Sequence, residues 1–137
     1  MGTRSTYRII EKHEKQEDQL ALVYVQYDGY PEGHPLEIAK WLSEATVVNG
    51  FNSNTPALAF NGAGCLAARM IGRLKDDRIG NVYMYPFHNR GNSGEDYMYD
   101  IVVEGQTINM IAYDYNNEKI FEGNPQEFTS KYSKETV

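Results

Sequence analysis

The stretch Tyr97–Phe121, YMYDIVVEGQTINMIAYDYNNEKIF, decides the fold class, because its β-branched and aromatic residues recur with a period of two. Two polar pairs, Glu104-Gly105 and Asn116-Asn117, interrupt this pattern and suit two-residue hairpin turns. Strands joined by tight turns are typical of an antiparallel meander. The predicted strands are Val82–Phe87, Tyr97–Val103, Thr107–Tyr113 and Lys119–Phe121.

A hairpin and two helices are predicted before this meander. Thr6–Lys12 and Leu20–Tyr27 read as paired strands around an exposed loop, His13–Asp18. The turn Asp28–Pro35 leads into the helix Leu36–Ala45, which His34 is expected to cap, and an irregular connector, Thr46–Asn61, leads to a second helix from Gly62 to about Lys75. The order predicts one α+β domain, residues 1–137, with a flexible tail at Thr129–Val137.

Composition limits the function classes. A formal net charge of −6 over 137 residues argues against long nucleic acid and anionic membrane surfaces as partners. Cys65 is the single cysteine, so the sequence predicts no internal disulfide, and a reducing compartment, the cytoplasm, is expected. His13, His34 and His88 lack the spacing of known metal motifs, and no metal or cofactor is predicted.

No acid–base pair or activated nucleophile stands out, so the sequence does not predict an enzyme. The run Gly62-x-Gly64-x-x-Ala67 is similar to a dinucleotide fingerprint, but the flanking strands of a Rossmann unit are missing. Two interpretations stay open for it. The glycines either permit close helix packing or form an anion site at a helix start together with Arg69 and Arg73.

Tyrosine is unusually frequent, with 11 residues. The predicted meander pairs Val82–Phe87 with Tyr97–Val103 across the loop His88–Asp96, which makes an aromatic ladder with Asn89 and Arg90 beside it. Such a ladder either stabilises the sheet or provides a platform on which a nucleotide base stacks.

Four segments resemble a known family: TYRIIE from residue 6, VYVQYDGYPEGHPLEIAKWL from residue 23, GAGCLAARMI from residue 62 and VYMYPF from residue 82. They are similar to the first class of Thoeris anti-defence proteins, which are small phage sponges, and the similarity covers most of residues 5–115. The resemblance implies that the protein sequesters cyclic ADP-ribose isomers made by a TIR-domain immune enzyme in the host cytoplasm, without degrading them. Some members also hold cyclic oligonucleotides in separate pockets of a hexamer assembled from dimers, so a homo-oligomer, dimer or hexamer, is expected.

Residue type and predicted position suggest two sites. The candidates for the ADP-ribose isomer are Tyr85, Phe87, His88, Asn89, Arg90, Tyr97, Tyr27 and Asp28. The candidates for a second ligand are Gly62, Gly64, Arg69 and Arg73. Two alternatives remain, an enzyme that degrades such signals in the manner of a phosphodiesterase, and a small structural or interaction protein of a phage.

Overall fold

Eight strands and three α-helices make up the part of the chain that the computed structural model describes, residues 2–76 and 79–133. This arrangement confirms the predicted α+β class. The strands are β1 (Ser5–Lys12), β2 (Glu17–Val25), β3 (Thr46–Val48), β4 (Ala59–Asn61), β5 (Val82–Met84), β6 (Tyr97–Glu104), β7 (Thr107–Asp114) and β8 (Lys119–Gly123). The helices are α1 (His34–Ser43), α2 (Gly62–Lys75) and α3 (Pro125–Tyr132), and a short 3-10 turn spans Phe87–Asn89.

Six strands form one mixed sheet in the order β5-β2-β1-β6-β7-β8, and β3 and β4 pair in parallel beside it. β1 and β2 form the predicted hairpin, and β6, β7 and β8 form an antiparallel meander. β1 and β6 are parallel neighbours, so β1 lies in the middle of the sheet. Ile9 and Ile10 are consecutive and both buried, which is typical of a strand covered on both faces.

The prediction that Val82–Phe87 pairs with Tyr97–Val103 is wrong. β5 pairs with β2 instead, so the hairpin of β1 and β2 separates it from β6. The strand is also shorter than predicted and ends at Met84, two residues before Pro86. Proline has no backbone N–H to donate to a sheet, and the chain turns into the 3-10 segment there.

The predicted aromatic ladder across the loop His88–Asp96 therefore does not form. Two other aromatic groups replace it. Tyr85 stacks on Tyr24 of β2, with ring centres 4.9 Å apart. On the opposite face of the sheet, Tyr99 stacks on Tyr7 at 5.3 Å and contacts Tyr97 at 6.3 Å.

All three helices contribute to a core on one face of the sheet. The buried side chains include Tyr7, Ile9, Val23, Tyr99 and Ile101 from the strands and Ile38, Leu42, Leu66, Met70 and Phe128 from the helices. α2 has the predicted bounds, whereas α1 ends at Ser43, two residues before the predicted end. None of the helices in residues 2–76 and 79–133 has the length and apolar character that crossing a membrane requires.

The prediction of a flexible tail from Thr129 onward is wrong for its first four residues, which belong to the third helix. α3 includes Thr129–Tyr132, and its Phe128 is fully buried. The helix begins with a capping box, in which the Asn124 side chain accepts from the backbone N–H of Glu127 and the Glu127 side chain accepts from the backbone N–H of Asn124. Ser133 caps the end of the helix, and the last four residues of the predicted tail, 134–137, lie outside the described residues.

Candidate functional site

A cleft of about 710 Å³ lies between α1, α2 and the turn that follows β2. This volume is within the range of roughly 300–1,000 Å³ that is usual for small-molecule sites. Three aromatic side chains line it, Tyr27 and Tyr30 from the turn and Trp41 from α1. Tyr27 and Tyr30 are 49% and 39% exposed, so their rings are accessible from solvent.

Short-range contacts hold the turn in one conformation. Asp28 has a positive φ of 58°, and its carbonyl oxygen accepts a 3.1 Å hydrogen bond from the backbone N–H of His34. A Cβ at Gly33 would lie 2.2 Å from that same carbonyl oxygen, so the closure requires glycine at position 33. The N–H of Gly29 donates to the carbonyl of Thr3 at 2.9 Å, which ties the turn to the segment before β1.

Two arginines one turn apart on α2 supply the positive charge of the cleft. The guanidinium of Arg73 lies 5.1 Å from the ring centre of Trp41, and that of Arg69 lies 5.6 Å from the ring centre of Phe60. Arg69 also donates to the carbonyl of Ala59 at 3.2 Å. Neither guanidinium forms an ion pair within residues 2–76 and 79–133. A guanidinium over an aromatic ring is attracted to it by a cation–π interaction, and its N–H groups can still donate hydrogen bonds to an anion.

Carboxylates from the turn and the helices supply the negative charge. Asp28 and Glu32 come from the turn, Glu37 from α1 and Asp76 from the C-terminal end of α2. Four carboxylates against two guanidiniums leave a net charge of −2 when the cleft histidine is neutral. The cleft therefore has cationic groups on α2 and acidic groups around them.

A buried tyrosine orients that histidine, His34, whose Nδ1 lies 2.6 Å from the hydroxyl of Tyr7. Tyr7 is fully buried, and burial, followed by the nearby charge of Glu37, raises the pKa of its hydroxyl well above the usual value. The hydroxyl therefore keeps its proton at neutral pH. The expectation that His34 caps α1 is wrong, because the N-cap is Gly33 and no side-chain hydrogen bond caps this end.

The structure brings residues from the two predicted sites into this one cleft. Tyr27 and Asp28, predicted for the first ligand, line it together with Arg69 and Arg73, predicted for the second. The two glycines of the second predicted site, Gly62 and Gly64, are at the start of α2 and are not among the lining residues. At 1.5 Å per residue, the backbone at Gly62 is about 16 Å along the helix from Arg73.

The loop that carries most of the other predicted ligand residues contributes to a polar layer on the opposite face of the sheet. Arg90 lies 3.4 Å from a carboxylate oxygen of Asp100, and its guanidinium is 5.0 Å from the ring centre of Tyr113. The same carboxylate accepts two hydrogen bonds from Arg8, at 3.1 and 2.7 Å. Arg90 therefore shares a buried counter-ion with a second arginine.

Hydrogen bonds hold the loop of this layer against the sheet. The buried carboxylate of Glu95 accepts from the backbone N–H groups of Gly91 and Ser93 and from the hydroxyl of Thr6. Around the loop, Phe87 and His88 are exposed, while Tyr85 and Asn89 are half-buried. The last predicted residue, Tyr97, is half-buried against the core on the helix side, away from the loop.

Sequence reasoning missed part of the cleft. Tyr30 and Glu32 lie in a segment that is predicted only as a turn, and Trp41 lies within the predicted helix Leu36–Ala45, for which no site residue is predicted. The dense mixture of aromatic and acidic residues between Tyr27 and Glu37 was the available signal. Comparison of the chain with protein-family models, curated proteins and solved structures finds no match.

Proposed function

We propose that this protein binds a cyclic ADP-ribose isomer in the cleft between α1 and α2 and sequesters it without converting it. The observation that carries the proposal is the pair of arginines held over aromatic rings, Arg69 and Arg73, in a cleft that also holds exposed tyrosines and carboxylates. The resemblance to phage anti-defence sponges supports the same ligand class. In this proposal the protein acts as a homo-oligomer, a dimer or hexamer, in the cytoplasm of the infected cell.

The chemistry of the ligand matches the three kinds of side chain. A cyclic ADP-ribose isomer has a pyrophosphate, two riboses and an adenine. Arg69 and Arg73 are one helical turn apart and would meet the pyrophosphate with charge-assisted hydrogen bonds. Asp28 and Glu37 would accept hydrogen bonds from ribose hydroxyls, a role that carboxylates take in many nucleotide sites.

Stacking of adenine on tyrosine rings would add to the selectivity of the cleft. The exposed rings of Tyr27 and Tyr30 offer faces for adenine, and a stacked base contributes about 1–3 kcal/mol. Tyrosine side chains have few rotatable bonds, so they lose little entropy when a ligand orders them. A rigid aromatic wall suits a protein that must bind tightly and does not turn its ligand over.

Calorimetric titration with a cyclic ADP-ribose isomer, linear ADP-ribose and AMP tests the proposal. The wild-type protein is expected to bind the cyclic isomer in the micromolar range or more tightly. Arg69→Ala and Arg73→Ala are each expected to weaken binding by about 10- to 100-fold, because each removes a charge-assisted hydrogen bond of about 1.5–3 kcal/mol. Lys119→Ala removes a positive charge on β8, outside the cleft, and is the matched control. Equal affinity of all four proteins, or no binding to any of the three ligands, would refute the proposal.

A further inference from the structure

The loop end of the hairpin formed by β1 and β2 brings three metal-ligating side chains together. Glu11, His13 and Asp18 each offer one ligand atom, and these three atoms all lie within 4.8 Å of one another. The hairpin register places Glu11 directly opposite Asp18. The backbone N–H of His13 donates to the carbonyl of Gln16 at 2.8 Å, so the imidazole extends from an ordered turn.

The distances between these atoms agree with the coordination sphere of zinc. His13 Nε2 is 3.2 Å from Asp18 Oδ2 and 3.7 Å from Glu11 Oε1. Zinc binds histidine nitrogen and carboxylate oxygen at about 2.0–2.2 Å in a tetrahedral arrangement, which separates neighbouring ligand atoms by roughly 3.3–3.6 Å. Small rotations of exposed side chains are enough to bring all three atoms to one ion.

The donor set and the local charge favour a particular class of cation. One imidazole nitrogen with two carboxylate oxygens suits zinc and cobalt, whereas calcium prefers six to eight oxygen ligands. Residues 11–18, EKHEKQED, contain four acidic residues and two lysines, which leave a net charge of −2 around the site. All three ligands are partly exposed, so water has access to the fourth position.

We propose that Glu11, His13 and Asp18 form a zinc-class metal site that joins the two strands of the hairpin. The sequence predicted no such site, because Glu11-x-His13-x₄-Asp18 matches none of the familiar zinc motifs. The site is independent of the nucleotide proposal. Asp18 is about 23 Å along β2 from Val25, which lines the cleft, at 3.3 Å per residue.

Calorimetric titration of the full chain with zinc chloride, in a buffer that does not bind zinc, tests this site. The wild type is expected to bind one equivalent with a dissociation constant in the micromolar range. His13→Ala and Asp18→Asn are expected to weaken binding at least tenfold. His88→Ala removes another exposed histidine and is the matched control, with no change in affinity expected.

Nuclear magnetic resonance of the histidine rings gives a second readout that does not depend on any variant folding. Zinc is expected to shift the His13 ring resonances and to leave those of His88 in place. Three results would overturn the proposal: no saturable binding below about 100 µM, equal binding by His13→Ala, or a zinc shift at another histidine instead of His13. Any of these would mean that Glu11, His13 and Asp18 make only polar contacts with one another and hold no metal.

Discussion

The hydroxyl of Tyr99 donates a 2.7 Å hydrogen bond to the backbone carbonyl of Gly29. Tyr99 belongs to β6 in the buried core, and Gly29 belongs to the turn that lines the cleft. Tyr7, which stacks on Tyr99, holds His34 at the other end of the same turn. The core of the sheet thus positions the candidate site through two tyrosine hydroxyls.

Tyr99→Phe is expected to destabilise the protein by about 1–3 kcal/mol, because the buried carbonyl of Gly29 loses its donor. Urea unfolding measures this change. Tyr115→Phe is the control. Because Tyr115 is 74% exposed, this substitution is expected to change the free energy of unfolding by no more than about 0.5 kcal/mol. Equal stability of the two variants would mean that this hydrogen bond does not hold the turn.

Stability is expected to fall at alkaline pH. Burial raises the pKa of Tyr7 and of Tyr99, so the folded protein keeps protons that the unfolded chain releases above about pH 10. The contribution of these tyrosines is complete below pH 10 and is lost as pH rises above it. Above that pH, each of the two tyrosines lowers the free energy of unfolding by about 1.4 kcal/mol per pH unit.

Urea unfolding between pH 8 and 11 checks this slope. In Tyr99→Phe, the free energy of unfolding is expected to fall less steeply with pH, because only one of the two tyrosines still contributes. The variant is expected to be less stable than wild type at every pH. A free energy of unfolding that changes equally with pH in wild type and variant would contradict the burial argument.

Asp100→Ala is expected to lower the free energy of unfolding by about 3 kcal/mol, since it leaves Arg8 and Arg90 without their shared counter-ion. The two arginine side chains are 26% and 17% exposed, so contact with water lowers the cost of leaving their charges without a counter-ion. Thermal and urea unfolding measure the loss. A change below 1 kcal/mol would show that the polar layer over the sheet contributes little to stability.

Arg73→Ala is expected to weaken binding of a cyclic ADP-ribose isomer and of any cyclic oligonucleotide that binds, because some residues of each predicted site line the same cleft. The two ligands are then expected to compete in a calorimetric displacement titration. Simultaneous binding of both, with only the oligonucleotide sensitive to Arg73, would indicate two pockets.

Phe87→Ala distinguishes the cleft from the loop. Phe87 is exposed on the loop after β5 and does not line the cleft, so its removal is expected to leave affinity for the ADP-ribose isomer unchanged. A loss of about 1–3 kcal/mol in calorimetry would instead place the stacked base at the loop.

Local sequence patterns predicted the elements but not all of their neighbours. The apolar spacing in α2 and the alternation in β1 and β2 depend on nearby residues, and these elements were predicted well. The parallel pairing of β1 with β6 joins residues about 90 positions apart, and no short pattern encodes it. The period-two pattern of β5 identified a strand without specifying that its partner is β2.

For the same reason, the sequence predicted residues of the candidate site as parts of two separate sites. Tyr27 with Asp28 and Arg69 with Arg73 were each selected by residue type, but only the packing of α1 and α2 brings them together. Tyr97 and Tyr99 do share one face of their strand, as the alternation predicts, yet that face packs against the helices. Tyr7, Tyr97, Tyr99 and Tyr132 therefore pack in or against the core.

If the protein binds its ligand without turnover, the ligand must leave the cleft chemically unchanged. The protein is incubated with an equimolar cyclic ADP-ribose isomer, separated from free ligand by gel filtration and then denatured by heat. Mass spectrometry of the released small molecules is expected to recover the unchanged isomer, at close to one per cleft. Recovery of a hydrolysed or linear product would show turnover, and recovery of no ligand with the protein fraction would show that the protein does not sequester the isomer.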